Sequence, residues 1–488
     1  MRAIVAGYER GRLLEASILL GPFAALFFAA AMGYPLLPVA AAVALLTMFV
    51  VGHRLLLSWH GLVAGLLLVI MLIPIRRYRM PVDLPFELEP YRVVVAVLAV
   101  IWVSSLLIDP RVRLRPTGFE LPLLLFGAAA FGSYLVNGAR INALGVDSKV
   151  VKELTFLASF IVVAYLIASV VRTISAIDFL LGVLVAGGAV IAVFAIVEGR
   201  TGFNPFNHLD VLPFLEPVHL LDEQVRAGRF RAYGTAQHPI ALGAALVLLL
   251  PLAVYLARRR DERRWWAGCL LLTLGALATM TRTSVLMLVA AGVVFLWLRP
   301  REIRRLWPAL LPLIVVVHFA MPGTLGGLKQ SFFPEGGLLA DQSTSKGSRG
   351  QGRVADLAPA IEEFKQSPIL GQGYGSRVVD GENPNAQILD NQWLGSLLET
   401  GIVGVMALIL LLTRTVRRLA KAAKEEADER SGWLFTALAA SMASFALGML
   451  TFDAFSFVQV TFLFFILFGL AAAALSLDAA SRQGRTSG

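Results

Sequence analysis

Cysteine, histidine and charge are all scarce in this chain. The single cysteine, Cys269, lies in an apolar run, so an intramolecular disulfide and a cysteine-based metal site are excluded. The sequence shows no cluster of ligand residues that is typical of a metal site. Charged residues are only 16% of the 488 residues, which excludes an ordinary soluble or disordered protein.

The chain is rich in long apolar runs. Hydrophobic residues make up 57% of the chain, and the mean hydropathy is +0.73. The runs predict membrane-spanning helices at about 13–32, 36–52, 58–75, 91–108, 119–137, 150–171, 176–197, 239–257, 265–281, 283–298, 306–321, 391–413, 433–451 and 454–476. Because the runs are continuous and lack period-two alternation, a β-barrel is excluded. The predicted fold is an all-α, polytopic integral membrane bundle of about fourteen helices, with twelve as the alternative.

The net charge of +10 does not indicate a nucleic-acid partner, because the basic residues lie mostly in short loops between apolar runs. Such loops belong in the cytoplasm. The clusters at 258–264, 299–305 and 414–424 fit one orientation, which puts both termini inside and the loops 198–238 and 322–390 outside. Arg76, Arg77 and Arg79 fit this orientation worst, and an error in the first three predicted spans would explain them.

These boundaries divide the chain into 1–197 (N-terminal spans), 198–238 (first outer loop), 239–321 (spans around Arg282), 322–390 (large outer loop), 391–476 (C-terminal spans) and 477–488 (cytoplasmic tail). The large loop is too long to be a bare connection, so we expect a lid or a site-forming element. Its glycine-rich stretch Gly347–Gly352 is polar, and Pro359–Phe364 predicts a short helix. Gly371, Gly373 and Gly375 are expected to form a turn rather than a nucleotide loop.

Arg282 stands between two apolar runs in the sequence Thr281-Arg282-Thr283-Ser284. A charge at such a position is costly unless it meets a partner or a water-filled cavity. Arg229 and Arg231 precede another apolar run and fall on the same predicted side of the membrane. Together these arginines indicate an anion site at one bilayer face. The alternatives are a snorkelling Arg282, and an Arg229 or Arg231 that pairs with an acid of the same loop.

Several short motifs in the C-terminal half resemble the O-antigen ligase and polysaccharide polymerase superfamily. They are, in chain order, Arg231-x-x-Gly234 with His238-Pro239, Thr281-Arg282-Thr283-Ser284, Arg353 with Pro368-Ile369-Leu370-Gly371-Gln372-Gly373, Asp390-Asn391-Gln392-Trp393-Leu394, and Glu399-Thr400-Gly401-x-x-Gly404. It is the series of motifs in this order that carries the resemblance. The resemblance covers about residues 225–415.

This resemblance implies a GT-C-like bacterial inner-membrane glycosyltransferase that acts on the outer face. It moves a glycan from an undecaprenyl-diphosphate donor to a hydroxyl of lipid A core, of another glycan chain or of another cell-surface acceptor. The essential arginines of the family correspond to Arg231 and Arg282, with Arg229 and Arg353 as further diphosphate ligands. Asn391 and Gly234 would shape the site. Since the donor is already activated, neither a cofactor nor a metal is expected.

Transfer to a hydroxyl usually needs a general base. Ligases of this family carry a histidine just before the Asn-x-x-Leu segment, whereas this chain has Asp390, which favours the polymerases. His238 and Glu399 are the substitute candidates. Asp390 has a structural alternative as the N-cap of the following helix, because aspartate is a preferred capping residue.

Two classes of function therefore compete. The first is the glycosyltransferase, for which spacing alone does not separate ligase from polymerase. The second is a transporter or flippase of lipid-linked oligosaccharides, which would also hold a diphosphate with arginines. A transporter more often has two similar halves and charged or broken helices near the midplane. The crowding of the suspect residues at one face beside a large loop favours the enzyme.

Overall fold

The structure is a computed structural model, and it describes residues 58–320 and 357–486 with short gaps. The gaps are 83–86, 111, 115, 213, 227, 261, 305–307, 309, 378–388 and 427–428; positions 326, 329 and 332 are also described. The predicted spans at 13–32 and 36–52 lie outside the described residues, as do Arg353 and Gly347–Gly352. The chain divides into two compact units, Met1–Gly65 and Leu66–Gly488.

The described residues are mostly helical. The helices are α1 (Trp59–Leu72), α2 (Pro90–Ile108), α3 (Glu120–Val136), α4 (Gly138–Ala143), α5 (Asp147–Val170), α6 (Ile174–Thr201), α7 (Pro239–Arg260), α8 (Arg263–Ala278), α9 (Arg282–Leu298), α10 (Pro300–Arg304), α11 (Leu310–Ala320), α12 (Leu357–Gln366), α13 (Gln392–Glu425), α14 (Glu429–Gly448) and α15 (Val458–Thr486). The antiparallel strand pairs are β1 (Tyr78–Arg79) with β2 (Glu216–Pro217), and β3 (Val225–Arg226) with β4 (Arg229–Phe230).

Hydrophobic length explains why most of these helices form where they do. In the part of the chain that the structure describes, 6 helices are long and apolar enough to cross a membrane, namely α2, α5, α6, α7, α13 and α15. Shorter apolar helices, α1, α3, α9 and α14, pack among them. The prediction of an all-α, polytopic membrane bundle is confirmed. The short helix predicted at Pro359–Phe364 is also present, as α12.

The helix ends and the segments that connect them lie at two opposite ends of the bundle. At one, which we call the basic end, Arg259 pairs with Asp178 at 2.5 Å, and Arg299 donates to the Ala423 carbonyl at 3.0 Å. The three predicted cytoplasmic clusters share this end. The other, the loop end, carries the 198–238 segment, where β1 and β2 pair through Arg79 and Glu216 at 3.1 Å.

Arg76, Arg77 and Arg79 lie at the loop end, and each has a local structural task. Arg77 is buried, Arg76 pairs with Glu153, and Arg79 belongs to a strand. Burial or an ion pair thus gives each of these arginines a structural reason to lie at this end. The misfit of these arginines therefore needs no error in the span at 58–75, which the structure places at Trp59–Leu72.

Burial separates central helices from peripheral ones. Of the apolar stretches of α15 and α7, 89% and 83% is buried, against only 22% for α2. Aromatic rings pack against one another around α15: the ring centroid of Phe160 lies 4.6 Å from that of Phe462 and 5.5 Å from that of Phe465. On α2, Val100 and Leu107 point outwards. Because its apolar side chains are exposed, α2 is a lipid-facing helix at the edge of the bundle.

Candidate functional site

Arg282 is the first residue of α9, and hydroxyl groups fix the turn before it. Thr281 caps the helix, since its side-chain oxygen accepts a hydrogen bond from the Ser284 N–H at 3.3 Å. The Thr281 hydroxyl also lies 2.5 Å from that of Ser284 and 3.1 Å from that of Thr279. The hydroxyl residues around Arg282 thus form the turn, and the half-buried arginine stands at the helix mouth.

The segment that contains Arg231 runs along this same turn. The Ala232 N–H donates to the Ala278 carbonyl at 3.2 Å, and Arg231 Nε donates to the Thr279 carbonyl at 3.3 Å. Arg231 and Arg282 therefore meet at one turn, although the hairpin α7–α8 separates them in the sequence. Arg229 is exposed in β4, which leads into this segment.

Two buried charges hold the turn that follows Arg231. Gly234 has a φ of +51°, a conformation that favours glycine. Glu198 accepts the N–H groups of Tyr233 at 3.2 Å and of Gly234 at 2.9 Å. From the other side, Arg77 donates to the Gly234 carbonyl at 2.8 Å. This clamp of Arg77 and Glu198 positions Arg231 through the backbone.

Arg77 remains charged despite its burial. Desolvation lowers the pKa of Arg77 to about 10, while the nearby Tyr233 and Glu198 raise it. The guanidinium also lies over the Tyr233 ring, 4.8 Å from its centroid, and donates to Asn207 at 3.0 Å. A buried cation with so many partners is a structural element of the loop end.

His238 acts as a helix cap. Its Nδ1 accepts the Ile240 N–H at 3.2 Å at the start of α7, so the neutral ring carries its proton on Nε2. Burial and then the charge of Arg231 lower the pKa of His238 to about 4. The lone pair on Nδ1 is therefore engaged by a backbone N–H rather than directed at a substrate proton. The geometry therefore disfavours His238 as the base.

Asp390 and Asn391 stand at the mouth of α13. Asn391, not Asp390, is the N-cap, because its side chain accepts the Leu394 N–H at 3.2 Å. The alternative of Asp390 as the cap is therefore wrong. The Gln392 N–H donates to the Met449 carbonyl at 2.8 Å, which docks this mouth on the loop between α14 and α15.

Glu399 lies next to a break in α13. Gly401 has φ 65° and ψ −165°, so the helix is interrupted there. The open backbone groups bond to the 368–373 segment: the Gln372 N–H donates to the Leu398 carbonyl at 2.8 Å, and the Ile402 N–H donates to the Pro368 carbonyl at 2.9 Å. Two motifs that are distant in sequence, 368–373 and 399–404, are thus one structural unit.

Glycines permit this close packing. A Cβ on Gly371 would lie 2.6 Å from the Leu398 carbonyl oxygen, and one on Gly375 would lie 2.6 Å from Glu153 Cβ. All three glycines of the 371–375 turn have positive φ, so the expected turn is confirmed. The Asn137 side chain ties it to the end of α3 by donating to the Gly371 carbonyl at 3.0 Å.

A polar cavity of about 180 Å³ opens at the loop end beside this unit. We call it the acidic cavity. Its charged lining consists of three carboxylates, Glu153, Glu399 and Asp453, and three cations, Arg76, Lys149 and Arg377. In the described residues, no group of His, Cys, Asp and Glu has the arrangement of a metal site.

The charges of the acidic cavity are partly paired. Arg76 lies 3.5 Å from Glu153, and Arg377 lies 2.8 Å from Glu363. Burial, together with the charges of Glu153 and Asp390, raises the pKa of Asp453 to about 6, although the Ser456 hydrogen bond and the charge of Arg377 act in the opposite direction. Asp390 is therefore close enough to act on Asp453 electrostatically, although it does not line the cavity.

The loop 449–457 between α14 and α15 joins the acidic cavity to the arginine turn. The Thr451 hydroxyl lies 2.9 Å from that of Thr283, the residue after the arginine at the mouth of α9. The Phe457 ring contacts the His238 ring at 5.9 Å, and Asp453 of the same loop lines the cavity. One loop thus touches both parts of the candidate site.

Sequence reasoning singled out Glu399 and Asp390 but missed several residues of the acidic cavity. Arg76 appeared only as a misfit of topology, and Lys149 and Glu153 fell at the edge of the span predicted at 150–171. Charges within the first turns of a membrane helix were the available signal. Arg377 and Tyr374 carried no signal, because only the fold brings the 371–377 turn to α5.

The fold and the site define an integral membrane protein whose polar, arginine-bearing centre lies at one end of a helical bundle. Residues 267–409 match the model of a known family, O-antigen ligase. The resemblance of the chain to the O-antigen ligase and polysaccharide polymerase superfamily is confirmed by this match. The match supports a ligase or polymerase role in glycan transfer.

The matched region runs from α8 to α13 and includes Arg282, Asp390 and Glu399. Arg231 and His238 precede it. A comparison with curated proteins finds no match.

Proposed function

We propose that the protein transfers a glycan from an undecaprenyl-diphosphate-linked donor to an acceptor hydroxyl. In this proposal the acceptor is lipid A core, another glycan chain or another cell-surface group. The reaction takes place at the loop end, on the outer face of the bacterial cytoplasmic membrane, with both termini inside. The observation that carries the proposal is the meeting of Arg231 and Arg282 at one turn, which the loop 449–457 joins to the acidic cavity.

The arginine turn suits a diphosphate. A guanidinium fork binds phosphate oxygens bidentately. Arg282 also stands at the N-terminus of α9, where the helix dipole is positive. A bound anion offsets both positive charges, and the backbone N–H groups of the first turn favour it as well. The Arg77–Glu198 clamp holds Arg231 in place for this contact.

In the proposed step, the acceptor oxygen attacks the anomeric carbon of the donor sugar, and a new glycosidic C–O bond forms. The bond from that carbon to the diphosphate oxygen breaks, and its electron pair leaves with the diphosphate. Arg231 and Arg282 stabilise the charge that develops on the leaving group. The hydroxyl proton passes to a carboxylate of the site.

Asp453 is the best-placed base in this proposal. It lines the acidic cavity, belongs to the loop that touches α9, and has its pKa raised to about 6. Glu399 lines the same cavity. Asp390, which the sequence ranks first, lies just outside it and acts on Asp453 by its charge.

The test is a transfer assay with purified protein and an undecaprenyl-diphosphate-linked glycan. Arg282→Ala and Arg231→Ala should each lower the rate about 100- to 1,000-fold, as expected for the loss of one oxyanion ligand. Lysine at either position should restore little, because it lacks the bidentate fork. Arg264→Ala removes an exposed arginine at the basic end and is the matched control.

Each variant should still insert into the membrane and elute as a folded protein. Full transfer by both alanine variants would eliminate the arginine turn as the diphosphate site. A loss of transfer in the Arg264→Ala control would show that the assay responds to total charge rather than to this site.

A further inference from the structure

A long apolar groove separates α2 from α5 on the lipid-facing side of the bundle. Its volume is about 1200 Å³, and Ala96, Ala158 and Val162 are among its lining residues. A second depression of about 540 Å³ shares Val162 and continues towards the basic end, where Trp102 and Tyr165 line it. Both depressions lie along the helices, and in a bilayer both would be open to the hydrocarbon core.

The groove ends in cations at the loop end. Arg92, Lys149 and Lys152 line this mouth, against one carboxylate, Glu87. Arg92 is paired with Glu89 at 3.1 Å, whereas Lys152 is exposed. An apolar crevice with a cationic mouth is complementary to a single-chain lipid with a phosphate head group.

The mouth of the groove adjoins the acidic cavity. Lys149 lines both, whereas Arg231 and Arg282 line neither. A sugar attached to a phosphate at this mouth would therefore lie next to Glu399 and Asp453, where a hydroxyl can lose its proton. The phosphate of that sugar would lie at the groove mouth and not at the arginine turn, where the leaving group of the donor is proposed to bind.

We propose that the α2–α5 groove seats the polyprenyl chain of a lipid-linked acceptor glycan, with its diphosphate at Lys149 and Lys152. The acceptor hydroxyl lies in the acidic cavity, while the donor diphosphate occupies the arginine turn. This inference rests on the proposed function and narrows it: both substrates are polyprenyl-linked, so the protein is a polymerase rather than a ligase. A crevice between two helices suits one chain better than a lipid with several acyl chains.

Occupancy of the groove is tested with a polyprenyl diphosphate that carries a photoreactive group on its chain. The full-length protein is placed in nanodiscs of phosphatidylcholine, irradiated and mapped by mass spectrometry. Ala96→Phe and Ala158→Phe fill the groove and should lower labelling of α2 and α5 about tenfold. Val103→Phe is the control, because it adds the same ring to an exposed position of α2 outside the groove.

The acceptor role is tested by kinetics with a long-chain donor and an isotopically labelled, short lipid-linked acceptor. Lys152→Glu should raise KM for the acceptor about tenfold and leave KM for the donor unchanged. Lys365→Glu makes the same charge change on α12 and should alter neither.

Labelling of α2 and α5 that persists undiminished in both filled variants would overturn the groove, as would crosslinks confined to helices other than α2 and α5. A Lys152→Glu effect on the donor alone, or on neither substrate, would overturn the acceptor assignment. These outcomes do not involve the arginine variants. Loss of transfer in Arg282→Ala alongside a failed groove test would therefore leave the proposed function standing, whereas full transfer in Arg282→Ala would remove that function independently of any lipid labelling.

Discussion

Carboxylates at the loop end differ in how well they can accept a proton. Asp453 has a pKa of about 6, so it is ionised at neutral pH and more basic than an ordinary aspartate. Such a value suits a general base that works near pH 7. His238 shows the opposite adjustment, since its pKa is lowered to about 4 and its Nδ1 is held by a backbone N–H.

The pH profile should reveal Asp453. A base works only when it is deprotonated, so the rate of the wild-type protein should rise with pH through about 6 and level off above it. Asp453→Asn should lower turnover about 100-fold and abolish this rise. The measurement is the initial transfer rate at saturating substrates between pH 5 and 8. An unaltered rise in the variant would return the role of base to Glu399 or Asp390.

Asp390→Asn is the matched comparison for this profile. It should lower turnover more than donor affinity, since Asp390 acts by its charge on Asp453, the proposed base. Removing its negative charge should also lower the pKa of Asp453, because that charge now raises it. The rise of the rate should then move to lower pH, and an unchanged rate would leave Asp390 without a role in turnover.

Among the helices, α13 determines the shape of the site through its break. The helix would pass Glu399 without interruption if Gly401 had helical angles. Instead Gly401 has a φ of 65°, and the 368–373 segment bonds to the opened turn. This arrangement carries the 371–377 turn, with Arg377, to the acidic cavity.

Gly401→Ala should damage both stability and activity. Alanine disfavours a positive φ, and its Cβ would contact the Ile369 carbonyl oxygen. We expect the free energy of unfolding to fall by about 3 kcal/mol and transfer to be lost with it. Thermal unfolding in detergent, followed by the transfer assay, measures both.

Gly132→Ala in α3 is the control for this variant, because nothing lies within 4 Å of the added Cβ. It should leave the unfolding temperature equal or slightly higher. If Gly401→Ala and the wild-type protein were equally stable, the helix break would not depend on the positive φ of this glycine.

The two ends of the bundle carry different kinds of charged residues. The clusters around 258–264, 299–305 and 414–424 gather at the basic end, whereas the arginine turn and the acidic cavity lie at the loop end. From the positive-inside bias we expect the basic end to face the cytoplasm. Arg76, Arg77 and Arg79 run against this bias, and burial or an ion pair holds each of them at the loop end.

Cysteine labelling of intact cells can test this orientation. In a background with Cys269→Ser, Asp222→Cys places a thiol on an exposed position of the loop end, and Arg264→Cys places one at the basic end. A membrane-impermeant maleimide should label the first in intact cells and the second only after lysis. The reverse pattern would put the proposed site in the cytosol and exclude a donor presented on the outer face.

Much of the helical frame was predictable. Hydropathy alone placed α6 at 176–197 against the observed Ile174–Thr201, because burial in lipid demands a continuous apolar run. It ended α13 at 413, whereas the helix continues to Glu425, since a basic helix remains helical after it leaves the hydrocarbon. The break at Gly401 was not predictable, because it depends on a partner segment from elsewhere in the chain.

The candidate site was likewise predictable only in part. Arg231, Arg282, Asp390 and Glu399 were evident from their cost in or beside apolar runs and from motif order, both of which are properties of local sequence. Which of them meet, and the parts taken by Arg76, Lys149 and Asp453, were decided by tertiary structure. Their proximity arises from helix packing between segments far apart in the chain, and a local pattern contains no information about such contacts. The sequence alone determined a helical membrane protein with arginines near its rim; only the packed bundle joined them to a cavity and placed a lipid-sized groove beside it.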